Sequence, residues 1–168
     1  MRFLLVLALL HIMECQTMPL TQQKPAATVS THVMFQEGNA QDAMALYASV
    51  FPGFRIDHIE KYASGEHGAA GTAKRADVDL YGHRLIVIDS PVKHAFTFTP
   101  SVSLFVDFAS AEELATAFAK LAEGGKVFMP LDNYGFSRRF GWCSDRFGVS
   151  WQLNLPDAAS ASTTAPAR

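Results

Sequence analysis

The order of apolar and polar positions divides residues 29–155 into strands and helices, and the same order of elements comes twice. Val29 to Gln36 alternates well enough for a strand, with Val29, Val33 and Phe35 on one face and Ser30, His32, Met34 and Gln36 on the other. Asn39 stands where a helix N-cap would, ahead of Ala40, Ala43, Met44, Tyr47 and Val50 at helical spacing, and Pro52-Gly53 stops that helix. Extended segments follow at Phe54–Tyr62, Thr72–Leu80 and Arg84–Asp89, broken by a glycine-rich loop over 64–71 and by the Tyr81-Gly82-His83 turn. Beyond a proline-containing connector, Ser90 to Pro100, the pattern restarts with a strand over Val102–Phe108. Ser110 and Glu113 form a capping box for a helix carrying Leu114, Phe118 and Leu121 on one face, and Gly124-Gly125 ends it. Strands then fit Lys126–Met129, Arg139–Ser144 and Val149–Leu155, the first two separated by an aromatic loop that begins at Pro130 and reaches Phe136.

Two β-α-β-β-β modules, at about 28–90 and 101–155, constrain the architecture more than any single propensity does. One helix covers only one face of its four strands, so the other face is bare unless the halves join. The expected fold class is α+β: paired βαβββ modules making a curved, cup-shaped mixed sheet with the helices outside. The strand faces agree. Val149, Trp151, Leu153 and Leu155 oppose Ser150, Gln152 and Asn154, and Val102, Leu104 and Val106 oppose Ser101, Ser103, Phe105 and Asp107. The apolar sets are assigned to the helices and the mixed sets to the cup. An open antiparallel sheet with one solvated face would show the same split.

The 168 residues suit one domain, and a composition that is 49% hydrophobic with 13 Phe supplies ample core. Fourteen basic against sixteen acidic side chains, with no Lys/Arg cluster suited to tracking phosphates, argue against a nucleic-acid partner. Cys15 and Cys143 sit in no CxxC or His/Cys ligand spacing, so neither a disulfide framework nor a structural zinc is expected. Residues 1–27 read as an extension outside the fold. Arg2 and the apolar run Phe3 to Ile12 have the form of a secretory signal, but the run is too short to span a bilayer and no Ala-x-Ala-like cleavage site follows. A true start at Met18 is the other reading. The cytoplasm is the expected location, or export if the segment is a signal. The Ala/Ser/Thr-rich residues 156–168 read as a disordered tail.

Three blocks carry a resemblance to a known family. They are Phe35-Gln36-Glu37-Gly38-Asn39-Ala40 running to Phe51-Pro52, then Ile88-Asp89-Ser90-Pro91 with Lys93 to Pro100, and finally Met129 to Leu155. The last includes Asp132-Asn133-Tyr134-Gly135, Phe140-Gly141-Trp142 and Asp145-Arg146-Phe147-Gly148-Val149-Ser150-Trp151. Together they resemble the PhnB-like branch of the vicinal-oxygen-chelate superfamily, which holds the glyoxalases, bleomycin-resistance proteins and extradiol dioxygenases. The resemblance implies paired βαβββ modules, commonly a homodimer, and a small aromatic or oxygen-rich ligand in the cup. Members of this branch are often labelled 3-demethylubiquinone-9 3-methyltransferases, so methyl transfer is a named alternative, as is a metal-dependent lyase or dioxygenase. An S-adenosylmethionine enzyme usually offers a glycine-rich strand-to-helix turn in a parallel sheet, and this chain offers none.

In metal-using relatives four inward side chains, two per module, hold a divalent ion. Matching this chain to that pattern puts His32 first and Gln152 fourth, and internal repetition of Gly82 on Gly148 puts Ile86 second, with Ser101 or Ser103 third. His32 and Gln152 are thus the metal candidates, in a set of His, Ile, Ser and Gln that falls short of the three good ligands a catalytic ion usually needs. No cofactor is otherwise implied. His32 is also the candidate general acid or base, against the plainer role of a hydrogen-bonded cavity residue. Met34, Ile86, Ser101, Ser103, Phe105 and Gln152 are expected to line the cup, and Tyr134, Phe136 and Trp142 to wall or lid it for a planar ligand. The same aromatics would equally suit a subunit interface.

Overall fold

Gly38, in the left-handed region at φ 71°, turns the chain out of β1 (Thr31–Phe35) and into α1 (Ala40–Val50). The computed structural model describes residues 27–157. Expectations for residues 1–26 and 158–168, the extension and most of the tail, lie outside the described residues. The first module continues with β2 (Phe54–Lys61), β3 (Ala73–Leu80) and β4 (His83–Asp89). The second is β5 (Leu104–Asp107), α2 (Ala111–Ala122), β6 (Lys126–Asp132), β7 (Arg139–Ser144) and β8 (Ser150–Leu155).

Each module closes its own four-stranded mixed sheet, in the orders β1-β4-β3-β2 and β5-β8-β7-β6. The strand before each helix pairs in parallel with the last strand of its module, and the remaining pairs are antiparallel. The repeat read from the sequence is therefore a repeat of topology. The two registers also correspond: His32 faces Ile86 as Phe105 faces Gln152.

One hydrophobic core joins the modules. It holds the apolar faces of both sheets with Met44 and Tyr47 of α1 and Leu114, Phe118 and Leu121 of α2. Trp151 is wholly buried between modules, its ring 4.9 Å from Tyr47 and 5.1 Å from Phe51. Asp145, at the β7–β8 turn, takes the Tyr47 hydroxyl (2.8 Å), the Trp151 indole N–H (2.9 Å) and the amides of Phe147 and Val149. One buried carboxylate thus ties α1 to the second module.

Several sequence expectations are corrected in detail. Asn39 occupies the N-cap of α1 but makes no side-chain cap bond. The helix start is instead satisfied from across the sheet, where Asp89 accepts the Ala40 amide at 3.0 Å and the Ala73 amide at 2.8 Å. Ser110 does cap α2, accepting from the Glu112 and Glu113 amides. Strand β5 begins at Leu104, so Val102 precedes it and is 70% exposed. Strand β6 runs through Pro130 to Asp132, because β6 lies at the sheet edge, where a missing N–H is tolerated.

Candidate functional site

The candidate residues stand on the sheet faces turned away from the core, where strand alternation puts every side chain that the helices do not cover. On the first sheet His32 is exposed beside half-buried Ile86, and the row continues to Asp77 and then His58. Met34 lies one pair further along, opposite Ile88. Arg75 and Arg84 converge on Asp77, at 2.7 and 3.7 Å, and Arg75 holds that carboxyl below its usual range. The face is one of His, aliphatic and ion-paired side chains.

On the second sheet the structure brings Ser103, Trp142 and Gln152 together through Ser150, which alternation puts on the cup face but which the sequence does not single out as a site residue. The Trp142 indole N–H donates to Ser150 Oγ at 2.9 Å. Ser150 and Ser103 hydroxyls lie 2.7 Å apart, Gln152 Nε2 donates to Ser103 Oγ at 3.3 Å, and Ser103 Oγ donates to the Pro100 carbonyl at 3.4 Å. The signal for Ser150 was its place two residues before Gln152 on the same strand face. Phe105, 55% exposed, faces Gln152 from one side as Trp142 does from the other. A second polar cluster lies along the same strands: Asn154 donates to Asp107 at 2.6 Å and accepts from buried Ser137 at 2.5 Å.

The aromatic wall is assembled around Phe140. Phe105, Tyr134 and Phe136 lie with ring centroids 6.3, 6.2 and 5.1 Å from it, and Tyr134 stacks on Phe136. The Tyr134 hydroxyl donates to the Pro130 carbonyl, which fixes the loop. Ser101 stands apart in the turn before β5, 3.2 Å from Thr99.

Between the edges of β1 and β5 opens a cavity of about 1230 Å³. His32, Ser103 and Phe105 border it, with Thr97 and Phe98 of the connector and the start of α2, whereas Met34, Ile86, Trp142 and Gln152 stand outside its wall. The candidates of the two sheets therefore meet only at this edge. Gln36 pins the connector there: its amide donates to the Phe96 carbonyl and accepts the His94 amide, each at 2.5 Å.

The fit to a divalent metal can be tested on the donor set. Ser101 and Ser103, the two serines left open for the third position, both precede β5, and the register gives that position to Phe105. The four positions read His32, Ile86, Phe105 and Gln152, and two of them have no donor atom. Asp89, the nearest carboxylate in sequence to Ile86, is buried on the core side and committed to two amides. The residues present do not fit a metal centre. Among the described residues no group of three His, Cys, Asp or Glu is placed to hold an ion, and no helix is long and apolar enough to cross a membrane.

Residues 27–154 match the family model described as 3-demethylubiquinone-9 3-methyltransferase. A PhnB protein from Bacillus cereus is 44% identical, covering 77% of this chain and 99% of its own, with a TM-score of 0.73. Protein YjdN of Escherichia coli is 25% identical over 131 residues, 70% of this chain and 88% of that protein. The fold is also that of the fosfomycin resistance protein FosX of Listeria monocytogenes, at a TM-score of 0.56 and 10% identity over 82% of this chain and 98% of FosX.

Proposed function

Since this chain belongs to the 3-demethylubiquinone-9 3-methyltransferase family of PhnB-like, vicinal-oxygen-chelate-fold proteins, we propose that it binds a small aromatic or oxygen-rich molecule on the outward face of its second sheet. The observation that carries this is the grouping of Phe105, Trp142 and Gln152. Two aromatic side chains flank a polar amide across adjacent strands, and Ser103 and Ser150 hold the group in place. Apolar walls with a few fixed polar groups are what a small planar ligand requires. The working unit is residues 28–155, as a homodimer in the cytoplasm. If residues 1–17 act as a signal, the protein is exported.

Catalysis is a separate matter, because this scaffold carries unrelated activities. The family description favours methyl transfer as a second reading. Against it, the link from β1 to α1 has one glycine, Gly38, and that from β5 to α2 has none, so neither forms the glycine-rich turn that usually cradles S-adenosylmethionine. His32 borders the cavity edge and is a group placed to exchange a proton with a molecule there, as are His83 and the carboxylates of α2.

A thermal-shift panel of quinones, hydroxylated aromatics, glycopeptide antibiotics, S-adenosylmethionine and divalent metals separates the readings, since a ligand held by the native state raises its melting point. Stabilisation by an aromatic or quinone, reduced in Trp142→Ala, supports the proposal. Stabilisation by S-adenosylmethionine alone moves the protein to the methyltransferase reading, and stabilisation by a metal alone to the lyase or dioxygenase reading.

A further inference from the structure

We infer that Gln152 is a specificity-determining residue whose side-chain oxygen accepts a hydrogen bond from the ligand, so that the molecule bound beside Trp142 must carry a hydroxyl or N–H on its ring. The inference rests on the proposed ligand face and names what that face selects.

Hydrogen-bond direction fixes how the Gln152 amide is turned. The Trp142 indole nitrogen can only donate, so Ser150 Oγ accepts from it at 2.9 Å. The Pro100 carbonyl at the other end can only accept, and Ser103 Oγ donates to it at 3.4 Å. Ser150 therefore gives its own proton to Ser103, 2.7 Å away. Both hydroxyl protons are then used. Whatever Gln152 turns toward Ser103 has to be a donor, which makes it the amide nitrogen, as found at 3.3 Å.

With its nitrogen committed inward, the Gln152 amide presents its oxygen away from the serines. Among the described residues that oxygen has no partner, whereas every fully buried side-chain nitrogen and oxygen among them has one. Gln152 Oε1 is thus an open acceptor on a half-buried side chain whose neighbours on the adjacent strands are Phe105 and Trp142. A flat molecule lying on either ring brings its edge to that oxygen. An edge with a donor gains a hydrogen bond. An edge with an ether or carbonyl instead leaves two acceptors facing each other, which costs desolvation without return.

The test uses the full chain, 4-hydroxyacetophenone and its methyl ether, 4-methoxyacetophenone, by calorimetric titration at a pH where the phenol is un-ionised. The hydroxyl compound is expected to bind about five- to tenfold tighter, the range one net hydrogen bond confers. Gln152→Met, similar in length, should remove that preference, bringing the two compounds' affinities together. Gln152→Glu, which keeps an acceptor, should preserve it. Ser103→Ala frees the amide to turn and should reduce the preference about as far as Gln152→Met does, which gives a second reading if the methionine variant folds poorly. Equal binding of the two compounds to the parent protein, or a preference that survives Gln152→Met, overturns the inference while leaving the ligand face standing. Failure of both compounds to bind overturns the inference and the proposed ligand face together.

Discussion

At the scale of single residues, alternation along a strand told which side chains leave the core, and it served well for His32, Trp142 and Gln152, all on the outward faces. Across strands it told less. Ser101 or Ser103 is the third ligand position that the sequence pattern suggests, but both precede β5, which begins at Leu104, and the register pairs Phe105 with Gln152. The result is a phenylalanine at a position where a ligand would need an oxygen or nitrogen. From this we expect the purified protein to hold no stoichiometric first-row metal. His32→Ala should leave metal content unchanged by elemental analysis; one equivalent per chain, lost in that variant, would restore a metal centre. Buried titratable groups give a second outcome. Burial, and next the charge of Asp145, pushes the Cys143 thiol from its ordinary 9.0 up to about 12, and burial ahead of Asp145 also raises Tyr47 well above its ordinary range. A group whose pKa is raised by folding stays protonated in the native state while the unfolded chain ionises. Stability is therefore whole below about pH 9 and is lost as pH climbs toward about 12. The urea midpoint should fall between about pH 8 and about pH 10, less steeply in Cys143→Ala. In a Cys15→Ser background, Cys143 should react with a thiol reagent only after unfolding.

At the scale of elements, the helices were legible because their periodicity is local, and their ends were legible only where the cap is local too. Ser110 lies next to the helix it caps and could be read from the chain. Asp89 caps α1 from forty-nine residues away, through a contact that exists only once β4 pairs beside β1, so the sequence pointed to Asn39 instead. Substitutions should separate the two cases. Ser110→Ala is expected to cost about 1 kcal/mol of unfolding free energy. Asn39→Ala should cost only a few tenths of that, since no side-chain bond is lost, whereas Asp89→Ala leaves two amides without an acceptor and should cost about 2 kcal/mol or more. Chemical denaturation of the three variants ranks them. Asn39→Ala proving as damaging as Asp89→Ala would place the cap back on the asparagine.

At the scale of the whole molecule, the doubling of βαβββ was the most legible feature, because a repeat is a constraint that no single segment has to carry. How the outward faces are covered was not legible, since that depends on surfaces meeting across a distance and not on spacing along the chain. Residues 28–155 contain every described strand and helix, and removal of residues 1–26 and 158–168 should shift the melting temperature by only a few degrees. A large loss would show that one of the termini packs on the core. Apolar surface stays open around the second sheet in one chain: Phe136 of the aromatic loop is 63% exposed and Phe105, on the outward face, 55%. Among the described residues, strands β1, β2, β5 and β6 each have one edge without a strand partner. Single exposed apolar residues are ordinary, but several grouped with open strand edges form a surface that natural proteins cover or blunt. A second copy is the partner every molecule has at hand, and a symmetric pairing would cover both copies' edges in one contact. The expected species in sedimentation equilibrium at micromolar concentration is therefore twice the 18.4 kDa of one chain. Phe136→Ser should shift it toward monomer if the aromatic loop lies in the contact, and an 18.4 kDa species alone in the parent protein would count against the dimer.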